Sequence, residues 1–401
     1  KEDIARVFWD ADKFYYDNKL HEAGSFLRSQ RKRWSEIDFQ GVGDYFNMQK
    51  QSFNVIACPK NISQSRVTAE ILAGFDELDL EDSNTAVILA DETLLFPVLH
   101  NLPAEVKQLN VTMGKPLSGT VFYSFIEILF SMHVQSIKYK KRAIYYKDAI
   151  ALIEHPYFSK IVDVEVINSF RDLIIKNNLV FLDKEDISSV FTDKLAINLF
   201  KLWQDYHDIM QTMDVLLKHL RNNLVGQMAT VESEIFTTFF KSITVLQKLL
   251  AENSFPIDIK TIQVIMQQLV SKEIIPFTGE PLNGVQIMGI LESRTLDFKN
   301  VVILGVNEGK LPKGKSFNSF IPYDMKRYFK LPTYADSDAV FAYHFYRLLQ
   351  RANNISLIYD SETDDFGNGE RSRFITQLLS EYHGRIKEYV YSGSCFSDQS
   401  L

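Results

Sequence analysis

The sequence predicts an α/β protein in which a parallel-sheet domain is split by a large all-helical insertion. Short apolar runs alternate with helical segments near the start of the chain and again near its end. These runs are apolar on both faces, as strands of a parallel sheet covered on both sides must be. Between them, from about Phe122 to Gln268, Gly nearly vanishes and Leu, Ile, Phe and Lys recur at helical spacing. Strands then resume, so the helical block reads as inserted. At 401 residues with 46% hydrophobic residues, the chain can bury a large core and divide into two or three domains.

The elements follow in order. "IARVFWDADKFYYDN" opens with a strand-like run ending at Asp10 and Asp12, and a charged helical stretch follows to about Tyr45. "SFNVIAC" (Ser52 to Cys58) reads as a strand, and "SRVTAEILAGF" as an amphipathic helix with Val67, Ile71, Leu72 and Phe75 on its apolar face. "TAVILA" (Thr85 to Ala90) is a third strand, followed by Asp91 and a helix through Leu99. Long amphipathic helices such as "NLFKLWQDYHDIMQTMDVLLKHLRNNL" fill the block after Phe122. Strands return at "VQIMGI" (Val285 to Ile290), "NVVILGV" (Asn300 to Val306) and "ISLIYD" (Ile355 to Asp360). Between the last two, "DSDAVFAYHFYRLLQRA" places Phe341, Phe345, Leu348, Leu349 and Ala352 on one helical face. Its polar members His344, Arg347, Gln350 and Arg351 lie toward the helix end, where the ligand crevice of such a sheet is expected. The expected segments are 1–45, 46–121, 122–275 and 276–401.

Composition excludes several classes. No apolar run approaches the ~20 residues that span a bilayer, and the first residues lack the basic segment and apolar core of a signal peptide, so a cytoplasmic location is expected. Cys58 and Cys395 are the two cysteines, far apart, which argues against a disulfide framework and for a reducing compartment. The eight histidines show no metal-ligand spacing, so no metal is expected to be bound. Net charge is -7, which gives no global sign of nucleic acid. Two local clusters are basic, "RSQRKR" with Arg31, Lys32 and Arg33, and "KYKKR" with Lys140, Lys141 and Arg142, the second interleaved with Tyr139, Tyr145 and Tyr146. Basic and aromatic residues together suit a phosphate backbone with stacked bases, and a solvated helix face is the plainer reading of both clusters.

"GKLPKGKS" (Gly309 to Ser316) fits the phosphate-loop pattern G-x-x-x-x-G-K-[ST]. Its context is poor. Glu308 puts negative charge beside the loop, Pro312 removes an N–H donor from the cradle, and Pro322 would break a helix launched from Ser316. A basic, exposed loop is the expectation, with a nucleotide site on Lys315 and Ser316 as its rival.

The order of elements, with "ILESRTLDFKNVVILGVNEGKLP" leading into "AYHFYRLLQRANNISLIYD", resembles the second RecA-like motor domain of UvrD-type superfamily-one helicases. It looks closest to AddB-like helicase–nucleases of double-strand-break repair, which end in a PD-(D/E)XK nuclease domain. "WDADKFYYDN" is similar to the family's third motif, G-D-x-x-Q, with Asp10 at its Asp and Lys13 where the γ-phosphate-sensing Gln stands. "TLDF" resembles the fifth motif's G-L-E-F, which gives Asp297 the place of the ribose-holding Glu. "FYRLLQRA" resembles the sixth motif, F-Y-x-A-x-T-R-A, and aligns Arg351 with the arginine that contacts the γ-phosphate, Gln350 replacing the Thr. "NEGKLP" corresponds to the family's N-E-G-x-x-P loop, which makes the phosphate-loop match a coincidence.

The resemblance implies a RecA-like sheet domain that works with an upstream motor domain carrying the Walker motifs, a downstream nuclease domain, DNA and an AddA-like helicase subunit. It implies ATP with Mg2+ in the intact protein and none in this chain. Two readings of Arg351 stay open: a guanidinium for the γ-phosphate, or a cap on its helix C-terminus. Asp297 is a ribose ligand or a turn residue before the next strand. For the whole, a helicase–nuclease portion stands against a motor-inactive, RecC-like DNA-binding and docking scaffold.

Overall fold

The computed structural model describes residues 8–34, 41–48, 51–138, 143–224, 230–252, 257–276, 283–313, 319–362 and 369–391. The fold is mixed α/β, and contacts divide the chain into two compact units. Unit 1 comprises Lys1–Met113 and Thr278–Leu401, and unit 2 is the continuous stretch Gly114–Phe277 between them.

Unit 1 is built on seven parallel strands. In chain order they are β1 (Ser52–Cys58), β2 (Thr85–Leu89), β3 (Leu109–Val111), β4 (Val285–Gly289), β5 (Asn300–Leu304), β6 (Asn354–Asp360) and β7 (Ile386–Val390). Their order across the sheet is β7-β1-β6-β5-β2-β4-β3, and every ladder is parallel. All five residues of β2, β4 and β5 are buried. Alternation sends Ala86, Ile88, Val301 and Ile303 into one cluster with Phe345 and Leu349. Val87, Leu89, Val302 and Leu304, equally buried, point to the opposite face. Both faces are therefore covered, as continuous apolar strands require. The helix Lys60–Ala73 buries Val67 and Leu72 but stops at Gly74, so Phe75 lies beyond its apolar stripe.

The helix Tyr334–Leu349 crosses from the carboxyl end of β5 to the amino end of β6. Thr333 and Asp336 start it with a reciprocal capping box. At its other end Gln51 Nε2 donates to the carbonyls of Leu349, Gln350 and Ala352 at 2.8, 3.2 and 2.9 Å, satisfying acceptors that a helix terminus leaves open. Phe345, with no exposed surface, anchors the helix to the sheet.

In unit 2, helices Val121–Lys138, Tyr146–Ile153, Val164–Lys176, Lys184–Val190, Lys194–Phe200, Tyr206–Leu224, Thr230–Glu252 and Ile259–Val270 pack around one apolar core. The unit is not wholly helical. Lys115–Pro116 pairs antiparallel with Ile274–Ile275, and Ile144–Tyr145 pairs with Phe181–Leu182. The first ladder brings the two ends of the unit together. Among the described residues no helix is long and apolar enough to cross a membrane.

Candidate functional site

The polar residues at the end of helix Tyr334–Leu349 lie at the amino edge of the sheet, and not at the carboxyl-edge crevice expected from the sequence. The reason is topological. A parallel crossover must return the chain to the starting edge before the next strand begins, so Gln350 and Arg351 immediately precede β6, as Asp297 precedes β5.

Helical spacing puts Arg347, Gln350 and Arg351 on one side. Asp10 faces all three. Arg347 Nε donates to Asp10 Oδ2 at 2.9 Å, Gln350 Nε2 to Oδ1 at 2.8 Å, and Arg351 holds both carboxylate oxygens, Nη2 to Oδ1 at 2.8 Å and Nη1 to Oδ2 at 3.0 Å. Asp297 closes the other side, 3.0 Å from Arg347 Nη2 and 3.2 Å from Arg351 Nη1. Arg347 also donates to the Leu296 carbonyl. Tyr15 donates its hydroxyl to Gln350 Oε1 at 2.8 Å, Tyr343 donates to the Asp10 carbonyl at 2.9 Å, and the Tyr45 ring stacks 4.8 Å beneath the Arg351 guanidinium. Two carboxylates meet two guanidiniums.

The electrostatics follow. Burial pushes the Asp10 carboxyl up, but the hydrogen bonds of Arg351 and Gln350 and the charge of Arg347 outweigh it and hold it below the usual range. The bond to Asp10 raises Arg351 further above its ordinary value. Burial raises the Tyr15 phenol. Burial also lowers His344, on the same helix, to about 4, aided by Arg294 and Arg347. The arrangement is thus a charge-balanced clasp of two carboxylates and two guanidiniums. Cys58, the described cysteine, is buried with its thiol pushed up to about 12, which leaves it unreactive.

Of the residues singled out in the sequence, Asp10, Asp297 and Arg351 come together. Lys13 does not join them; it pairs with Asp44 at 3.3 Å. The Arg351 guanidinium engages Asp10 and Asp297, and Gln51 caps the end of the helix. Asp297 lies in the loop before β5 and pairs with both arginines. Arg31 donates to the Tyr16 hydroxyl at 2.9 Å, and Lys32 and Arg33 are exposed in the last turn of helix Ser25–Arg33. Lys140, Lys141 and Arg142 lie outside the described residues, as do Lys315 and Ser316. In the described part of that loop, Glu308 is bound by Arg373 and Lys310 pairs with Asp91 at 2.6 Å. Tyr343 and Gln51 were not singled out; the helical spacing of 343, 347, 350 and 351 was the available signal for Tyr343, whereas Gln51 carried none.

Arg351 engages Asp10 and Asp297 through Nη1 and Nη2 and keeps 28% of its side chain exposed. No group of three metal-ligating side chains occurs among the described residues. A cleft of ≈ 990 Å³ lies in unit 2 among Ile137, Leu182, Ile197 and Val215, with Lys184 and Lys194 on its wall. It gathers no set of reacting groups. Compared with protein-family models and with curated proteins, the chain matches none.

Proposed function

We propose that this chain is the second-motor-domain portion of an AddB-like helicase–nuclease of double-strand-break repair, serving in it as a DNA-binding and docking scaffold. In this proposal unit 1 is the RecA-like domain, unit 2 its helical insertion, and residues before Tyr45 the end of the first motor domain. One observation carries it. Asp10, Asp297 and Arg351, each matched to a different helicase motif and as much as 341 residues apart in sequence, meet in one cluster.

The charge balance of that cluster favours the scaffold over the motor. In a working site the arginine faces a neighbouring domain with charge to spare for the γ-phosphate. Here both guanidiniums are neutralised within the unit, so the cluster's work is to tie the residues before the sheet to the amino ends of β5 and β6. The partners in this proposal are DNA, the upstream motor and downstream nuclease domains, and an AddA-like subunit, in the cytoplasm.

The test measures a fluorescent ATP analogue and, separately, labelled single-stranded DNA against the 401-residue chain. The expected result is salt-sensitive DNA binding without nucleotide binding. Nucleotide binding that is lost in Arg351→Ala would replace the scaffold with a working half-site.

A further inference from the structure

On leaving the carboxyl end of β5, and before helix Tyr334–Leu349 begins, the chain passes through a short helix, Tyr323–Tyr328, none of whose residues is buried. Five of the sixteen residues from Ser319 to Tyr334 are aromatic. Phe320 is fully exposed, Tyr328 is 80% exposed, and Phe329 packs edge-on against Tyr328 at 5.0 Å. Tyr323 and Tyr334 stack at 5.2 Å and 24° while each still shows much of its surface to solvent. Single exposed rings are ordinary, but a contiguous group of them marks a contact surface.

The charges among the rings select the partner. Lys326, Arg327 and Lys330 stand in this stretch against Asp324 alone, in a chain whose net charge is -7. Among the described residues none of these three bases is paired with a carboxylate. A protein interface core excludes charge and is depleted in lysine, whereas rings interleaved with bases match a strand whose bases stack and whose phosphates need cations. The connection also leaves the carboxyl edge, where sheets of this kind place their binding loops.

We infer that Ser319–Tyr334 is a stacking platform for single-stranded nucleic acid. Tyr328 and Phe329, whose planes stand 87° apart, each take a separate base of a bent strand, and Lys326, Arg327 and Lys330 track the backbone. The choice of DNA as the strand rests on the function proposed above.

The experiment follows the anisotropy of a fluorescein-labelled oligothymidylate titrated with the 401-residue chain over a range of salt. The variants are Tyr328→Ala with Phe329→Ala, and Lys326→Gln with Arg327→Gln and Lys330→Gln. All these side chains lie on a helix without buried residues or just beyond it, so the fold should persist, which circular dichroism checks. Removing the rings is expected to weaken binding by on the order of tenfold to a hundredfold. Removing the bases is expected to lower the slope of log Kd against log salt by about 2, from ~0.7 for each lost phosphate contact. Wild-type affinity in both variants, with binding lost instead in Arg31→Gln/Lys32→Gln/Arg33→Gln, would overturn the platform and leave DNA binding intact. A wild-type chain that binds no DNA would overturn the proposed function and the platform together. A dimer in sedimentation that dissociates on removal of the rings, without DNA binding, would assign the surface to a second copy of the chain.

Discussion

Replacing Asp10 by Asn removes one charge and little volume from the clasp, so the loss reads the electrostatics of the site. Asp10 accepts from three side chains, and one of them, Arg347, is only 6% exposed. Without the carboxylate, Arg347 and Arg351 face each other with Asp297 alone between them, and Asp297 is 47% exposed. Breaking a fully buried pair costs ~3–5 kcal/mol, and an exposed pair ~0–1 kcal/mol. The Asp10 side chain is 29% exposed, between these limits, so a loss of about 2 kcal/mol is expected. With a urea m-value of about 3 kcal/mol/M, the midpoint for unit 1 should fall by roughly 0.7 M. Urea is the right denaturant because guanidinium chloride would screen the pairs. Hydrogen exchange of peptides covering β5 and β6 reports unit 1 separately from unit 2. A loss under about 0.5 kcal/mol, the behaviour of a surface pair, would refute the clasp.

Other consequences concern pH, packing and the loop. Asp10 has a folded pKa below the ordinary carboxylate value, so its stabilisation is complete above about pH 4 and fades as pH falls through the depressed folded value; Asp10→Asn should lack that acid-side loss. In unit 2, burial among apolar side chains lowers His133 to about 3, against the opposing pull of the Leu199 carbonyl and Asp208. Its ring stacks on Trp203 at 3.8 Å. A lowered histidine favours the folded state fully above its unfolded value, so about 2 kcal/mol should be lost between pH 6.5 and 5. His133→Gln should flatten that decline in urea titrations read on unit 2 peptides, and an unchanged slope would mean that another group is responsible. Phe345→Ala should cost ~3–5 kcal/mol in unit 1 stability. Neither the wild-type chain nor Lys315→Ala should bind the fluorescent ATP analogue, whereas wild-type binding that Lys315→Ala abolishes would restore the phosphate loop.

The central strands were legible because burial on both faces writes an unbroken apolar run into the sequence. "SFNVIAC" is β1 residue for residue, and "TAVILA" and "VQIMGI" each overshoot by one. The edges were not legible. Leu109–Val111 has only three residues, and "IKEYV" of β7 is largely exposed, so neither carries an apolar signal. The site was legible as separate residues and not as a set. The sequence marks Arg351, but not that Asp10 and Asp297 occupy it, because that pairing depends on ladder order and on which edge the crossover returns to. The carboxyl-edge expectation failed on the same ground. "GKLPKGKS" shows the converse, a pattern that is local and complete in letters while Pro312 and Glu308 spoil its surroundings.

The most direct test of the clasp is a double-mutant cycle on Asp10→Asn and Arg351→Ala, with unit 1 stability measured in urea. If Asp10 holds Arg351 as the geometry indicates, the two losses should fall short of additivity by about 1–2 kcal/mol. Additive losses would mean that the arginine is not held by this carboxylate and remains free for a phosphate.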